Sequence, residues 1–177
     1  MLPDNGAFVE DVTQIGFGAH LVYDHRQPRT FLSSGAAGTL GAGTAVAIGA
    51  AAATDRPVVG VTGDGGFLFT ATELATAVQH DIPCNIVLFN DGKYGNVNRI
   101  QKLRFGADRT IASELRNPDF RKLADAFGLR SWHTDSPAGL RSALDEAIAH
   151  TGPSLVEVTV GEMPNPWPLL RLPKVRG

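Results

Sequence analysis

Short apolar runs and longer amphipathic stretches alternate along this chain. Ala7-Phe8-Val9 predicts a strand ending at Glu10-Asp11. Val12 to Tyr23 predicts a helix with Ile15, Ala19 and Val22 on one face. Arg29–Leu32 predicts a second strand, and Ser33–Thr39 a loop of small residues. Leu40–Ala53, built largely of Ala, Gly and Val, predicts a helix packed closely against a sheet or another subunit. Val58–Val61 lacks alternation, which predicts a strand buried on both faces. A helical stretch follows from Phe67 to Gln79, with its regular part from Thr70, then a strand over Asn85–Phe89 and a turn at Asn90-Asp91-Gly92-Lys93. Asn117 to Phe127 predicts a helix with Asp119 just inside its start, stopped by Gly128. Arg130–Trp132 predicts a strand, Pro137–His150 a helix and Leu155–Val160 the last strand. Met163-Pro164-Asn165-Pro166-Trp167-Pro168 is too proline-rich for regular structure.

Strand and helix alternate throughout, which predicts an α/β fold of three layers, α/β/α, with a mostly parallel sheet of about six strands in a single domain. Ligands of such folds bind at the carboxyl ends of strands. The residues to inspect are therefore Asp11 and Gln14, Ser33 to Thr39, Asp64 and Gly65, and Asn90 with Asp91.

Composition narrows the function classes. The 177 residues fit one domain and carry a formal net charge of -2. No basic stripe runs along the chain, which argues against nucleic acid. The single cysteine, Cys84, heads an apolar run and reads as a small buried hydrophobe in a reducing compartment. MLPDNGAFVED lacks the pattern of a signal peptide, and no apolar run has the length of a membrane span. A cytoplasmic protein without membrane contact is expected. None of the five histidines reads as catalytic.

The chemistry gathers around VTGDGGFLFT, where Asp64 stands among Gly63, Gly65 and Gly66 at the end of a buried strand. Asp91 follows the next strand, and adjacent parallel strands lie about 5 Å apart, so the two carboxylates can share one cation. Both are hard oxygen ligands of the kind Mg²⁺ takes. No Cys/His cluster supports zinc. The amides of Gly63, Gly65 and Gly66 at a helix start suit a phosphate group. Taken singly, Gly-Asp-Gly and Asn-Asp-Gly each read as tight turns. Together, behind two buried strands, they suggest a diphosphate ligand.

The stretch GDGGFLFTATELATAVQHDIPCNIVLFND resembles the Gly-Asp-Gly to Asn-Asn motif of thiamine diphosphate enzymes, with Asp91 in place of the second Asn. LPDNGAFVEDVTQ, SSGAAGTLGAGTAVAIGAA, FNDGKYGNV, RNPDFRKLADAFG and GPSLVEV resemble, in order, segments of the diphosphate-binding domain of the acetolactate synthase and 2-oxo-acid decarboxylase superfamily. That resemblance implies the thiamine diphosphate-binding fold. It implies Mg²⁺ held by the Asp64 and Asp91 side chains and the Lys93 carbonyl. It implies that Gln14, Ile15, Gly63, Gly65, Gly66, Tyr94 and Gly95 line the cofactor. It further implies that the Gly38 carbonyl accepts from the 4′-amino group, and that Leu40 wedges the cofactor into a bent form. The bend brings an intramolecular base to the thiazolium C2 proton, a large effective-molarity advantage, and the cofactor then serves as electron sink for a carbanion derived from a 2-oxo acid.

The family also uses an activating glutamate from a separate pyrimidine-binding domain, supplied across a dimer interface. Glu10, Glu73 and Glu114 lie in segments matching the diphosphate domain, so none corresponds to it. Three readings follow: a two-subunit enzyme, a piece of a longer enzyme, suggested by the start at MLPDNG, or a non-catalytic binding module. Each predicts exposed surface that drives association into an oligomer. Residues 1–163 are expected to form the cofactor domain and 164–177 a proline-rich tail. Asn96 and Asn98 depart from the apolar residues of acetolactate synthases at this turn. The substrate expected is a small 2-oxo acid, decarboxylated or ligated. A rival from another class is a nicotinamide-binding Rossmann domain, because GAAGTLGAG weakly matches GxGxxG.

Overall fold

The computed structural model describes residues 2–34 and 37–169. Gly35 and Ala36 of the small-residue loop, and residues 170–177 of the expected tail, lie outside the described residues. Six strands form one parallel sheet: β1 (Ala7–Glu10), β2 (Phe31–Leu32), β3 (Val58–Gly63), β4 (Cys84–Asn90), β5 (Arg130–Thr134) and β6 (Ser154–Thr159). Their spatial order is β2-β1-β3-β4-β6-β5. The chain leaves β1 for β2 on one side and returns to β3 on the other. This topological switch point is where such sheets open a ligand crevice at their carboxyl ends.

Helices cover both faces. On one, α2 (Ala42–Ala53), α3 (Asp64–Thr70), α4 (Leu74–Gln79) and α6 (Phe120–Phe127) pack through Ala47, Ile48, Phe67, Leu74, Ala77, Phe120 and Ala124 onto Val58, Ile86, Leu88 and Leu155. On the other, α1 (Gln14–Val22) and α7 (Pro137–Ala149) pack onto Val59, Val61, Val87, Val156 and Val158. The Ala- and Gly-rich α2 does pack on the sheet: a Cβ on Gly60 of β3 would come 2.7 Å from the Ala47 Cβ. So little bulk on either partner lets helix and sheet approach closely.

The boundaries move for identifiable reasons. α1 starts at Gln14 because Thr13 is its N-cap, its hydroxyl accepting the Gly16 N–H at 2.9 Å. α2 starts at Ala42 because Gly41 has φ 87°, which is not helical. Asp119 is the N-cap of α6, accepting the Lys122 N–H at 3.1 Å, so that helix begins at Phe120. β2 is shorter than expected because Arg29 sits at φ 62°. The expected helix to Gln79 begins at Asp64 itself and is broken by a 3₁₀ turn at Ala71–Glu73. Trp167–Leu169 forms a 3₁₀ turn in the tail expected to be irregular.

The pattern of the sequence did not reveal α5 (Gly95–Phe105). Its apolar residues Val97, Ile100 and Leu103 are 50%, 38% and 75% exposed, so no buried stripe marks it. Lys102 and Arg104 in its last turn suit the helix dipole, and Gly106 ends it at φ 103°. No helix among the described residues is long and apolar enough to cross a membrane.

Candidate active site

The crevice is organised around Asp11, which follows β1 and is fully buried. One carboxylate oxygen accepts the N–H groups of Val12 at 2.8 Å and Gly41 at 3.0 Å, and the other accepts the Thr62 hydroxyl at 2.8 Å. A buried carboxylate persists where donors replace its hydration. Here those donors come from the end of β3 and from the turn that starts α2. Glycines permit the approach. A Cβ on Gly43 would lie 2.5 Å from the Asp11 Cβ, and one on Gly66 would lie 2.8 Å from the Asp11 carboxylate. Part of the glycine content that suggested a nucleotide loop therefore serves packing around Asp11. The GAAGTLGAG run follows β2 rather than the first strand, so the dinucleotide arrangement is not formed.

One pocket at the carboxyl ends of β1, β3 and β4 gathers Gln14, Ile15, Leu40, Gly63, Asp64, Gly65, Gly66, Asp91, Lys93, Tyr94 and Gly95. Gly38 is not in the lining; it is exposed, with φ 55°. The pocket also takes in Val12, Thr13, Phe17, Phe89, Asn96, Val97, Val160 and Met163, which the motif did not indicate. Several are ordinary apolar residues whose role is set by position alone.

Asp64 is the first residue of α3, directly after β3, and is buried. β3 and β4 pair with Gly63 opposite Phe89, which sets Asp64 beside the Asn90-Asp91 end of β4. Burial raises the Asp64 carboxyl above the usual carboxylate value, opposed by a hydrogen bond from Asn117 and by backbone N–H groups. Burial also raises Asp91, and the charge of Asp64 adds to that effect. The two carboxylates therefore stand close enough for the charge of Asp64 to act on Asp91. Among the described residues no cluster of three or more His, Cys, Asp or Glu side chains forms, so the donors on offer are these oxygens and backbone carbonyls.

The turn after β4 is held from outside. Leu115 N–H donates to the Gly92 carbonyl at 2.8 Å and Tyr94 N–H to the Ser113 carbonyl at 2.9 Å, a short antiparallel bridge. Lys93 N–H donates to an Asp91 oxygen at 3.2 Å. A Cβ on Gly95 would meet the other Asp91 oxygen at 2.5 Å and the Gln14 amide nitrogen at 2.3 Å. A Cβ on Gly65 would meet the Tyr94 ring at 2.4 Å. Only glycine fits at either position without displacing a pocket residue. Gln14 Oε1 is buried with no hydrogen-bond partner.

The departures at Asn96 and Asn98 have structural explanations. Asn98 is buried and donates to the Ser113 hydroxyl at 2.9 Å, tying α5 to the bridging segment. Asn96 accepts from the Trp167 indole N–H at 3.0 Å, and Trp167 also lies against Phe17, with centroids 4.9 Å apart. Arg99 donates to the Met163 carbonyl. The stretch Met163–Trp167 is thereby drawn across the pocket mouth.

Residues 11–158 match the family model "Thiamine pyrophosphate enzyme, C-terminal TPP binding domain". The chain belongs to that family of thiamine diphosphate-binding domains. It is 34% identical over 169 residues to acetolactate synthase isozyme 2 large subunit of Escherichia coli (strain K12), covering 95% of this chain and 31% of that protein. It is 36% identical over 157 residues to the probable acetolactate synthase large subunit of Methanocaldococcus jannaschii, covering 88% and 27%. Among solved structures, the thiamine diphosphate-dependent 4-hydroxybenzoylformate decarboxylase of Rhodococcus jostii RHA1 superposes with a TM-score of 0.83 at 29% identity, over 92% of this chain and 31% of that one. The chain thus spans about a third of the length of the relatives it matches.

Proposed function

We propose that this chain is the thiamine diphosphate- and Mg²⁺-binding component of a 2-oxo-acid decarboxylase or carboligase of acetolactate synthase type. Its activating glutamate would come from a separate pyrimidine-binding domain, elsewhere on a longer chain or on a partner subunit. The observation that carries this reading is the pair Asp64 and Asp91, set at the ends of adjacent strands and lining one pocket.

The residues fit the group. Two carboxylates and the Lys93 carbonyl form the all-oxygen donor set of a hard cation. Gly65 and Gly95 leave room for the Tyr94 ring and for the Asp91 and Gln14 side chains, which a Cβ would displace. The unpartnered Gln14 Oε1 is a further polar atom awaiting a donor. Leu40 would hold the cofactor bent, and the Gly38 carbonyl would accept from its 4′-amino group. When bound, thiamine diphosphate supplies a nucleophilic carbon and an electron sink. The protein's share would be to hold the diphosphate end, wedge Leu40 between the rings, and exclude water with Ile15, Phe89, Val160 and Met163.

Residues 1–163 would form the cofactor domain and 164–177 a tail that packs back on it through the Trp167 contacts with Asn96 and Phe17. Exposed Phe69, Val97, Leu103 and Phe105 support association with a further domain or chain. The test is to supply a pyrimidine-binding domain in trans with thiamine diphosphate and Mg²⁺, then offer small 2-oxo acids. Decarboxylation or carboligation that is lost in Asp64→Ala supports the reading. Cofactor binding without turnover of any 2-oxo acid would leave a non-catalytic binding module instead.

A further inference from the structure

We propose that Asn117, from the loop before α6, is a positioning residue for the cation site: its amide nitrogen fixes the Asp64 carboxylate, and its amide oxygen takes a hydrogen-bond donor that arrives with the cation. This rests on the cation reading of Asp64 and Asp91 given above.

Asn117 Nδ2 donates to Asp64 Oδ2 at 2.6 Å and to Asn90 Oδ1 at 3.0 Å. Both neighbours are acceptors at those contacts, so the amide can be placed only one way, nitrogen towards them. Asn90 is itself anchored: its Nδ2 donates to Glu157 Oε1 at 2.8 Å, and Glu157 is buried on β6. A continuous chain, Glu157–Asn90–Asn117–Asp64, therefore runs from the β6 strand across the end of β4 to the first residue of α3. It leaves Asp64 Oδ2 engaged, and the carboxylate cannot rotate freely about its bond to the chain.

Asn117 Oδ1 is buried and has no hydrogen-bond partner. A buried acceptor left unpaired has lost its hydration without replacement, and such groups in native proteins call for a donor. The rest of the loop does not supply one. A hydrated divalent cation does, because Mg²⁺ keeps several of its waters when protein carboxylates bind it. Groups that orient metal ligands in this way typically contribute 10–100-fold to metal affinity.

Mn²⁺ alone is the probe, titrated into the chain and followed by the loss of the free-ion electron paramagnetic resonance signal. Wild type, Asp64→Ala, Asn117→Leu and Asn117→Asp are compared, with apo thermal midpoints measured in parallel. The expected result is saturable binding to wild type, loss in Asp64→Ala, and about 10–100-fold weakening in Asn117→Leu. Asn117→Asp keeps an acceptor oxygen but cannot donate to Asp64, so it weakens binding too. Were Asn117 a direct ligand, the added charge would tighten binding, and that result overturns the inference. A purely structural Asn117 would lower the thermal midpoint equally with and without Mn²⁺. A positioning one reduces the rise that Mn²⁺ produces. Asn117→Leu binding as tightly as wild type, with Asp64→Ala inactive in binding, overturns the inference and leaves the cation site standing. Wild type that takes up no Mn²⁺, or Asp64→Ala that binds normally, overturns both.

Discussion

The Asp11 carboxylate accepts the Gly41 N–H at 3.0 Å, joining the end of β1 to the start of α2 across thirty residues of chain. The same carboxylate accepts the Thr62 hydroxyl two residues before Asp64. It thus fixes the Leu40-Gly41 turn on one side of the pocket and the approach to the Gly-Asp-Gly run on the other. Asp11→Ala strands three buried or half-buried donors, from Val12, Gly41 and Thr62. It should lower stability by roughly 2–4 kcal/mol. Asp11→Asn keeps an oxygen for Gly41 and should cost distinctly less. Chemical denaturation of the two variants checks the order.

Glycines that look alike in the sequence differ in consequence. A Cβ on Gly66 would stand 2.8 Å from the Asp11 carboxylate and 3.2 Å from Leu40 Cδ1. Gly49, exposed within α2, has nothing within 4 Å of the added carbon. Gly66→Ala should destabilise by about 1–3 kcal/mol through overpacking. Gly49→Ala should stabilise by about 0.5–1 kcal/mol, as expected for an open helical site. Thermal melts of both variants read the opposite signs.

The paired carboxylates predict a pH dependence. Asp64 and Asp91 are both raised above the ordinary 3.8, so the folded apo chain holds protons that the unfolded chain has released. Their contribution to stability is fully present below pH 3.8 and is lost as pH rises through the raised folded values. Asp91→Asn should therefore stabilise the apo chain at pH 7 and flatten its stability profile above pH 3.8. Cation binding needs both carboxylates ionised and should strengthen over the same rise. Apo and Mg²⁺-loaded melts of wild type and Asp91→Asn across pH 4–8 test both trends.

Cys84, at the start of β4, is fully buried and its thiol is pushed up to about 12 by that burial. Since the thiolate is the reactive form, the folded chain should resist alkylation at pH 8 and react only after denaturation. Mass spectrometry after iodoacetamide treatment decides it.

Much of the architecture was legible in the sequence because the strands are continuous apolar runs and most helices carry caps or glycine stops. α5 was hidden because Val97, Ile100 and Leu103 face outwards and leave no amphipathic record of burial. Asp64, Asp91 and their glycines were legible because the chemistry of a charge among glycines is unusual at a strand end. The role of Asp11 was not, since its donors lie 30 and 51 residues away. Asn117 was hidden for the same reason: its partners Asp64 and Asn90 lie 53 and 27 residues off, and only the fold brings them together.

The most direct measurement is calorimetric titration of the purified chain with thiamine diphosphate, with and without Mg²⁺, beside Asp64→Ala. Binding is expected to require Mg²⁺ and to be abolished by Asp64→Ala. Binding that persists in Asp64→Ala, or that is indifferent to Mg²⁺, would contradict the assignment of Asp64 and Asp91 as the cation site.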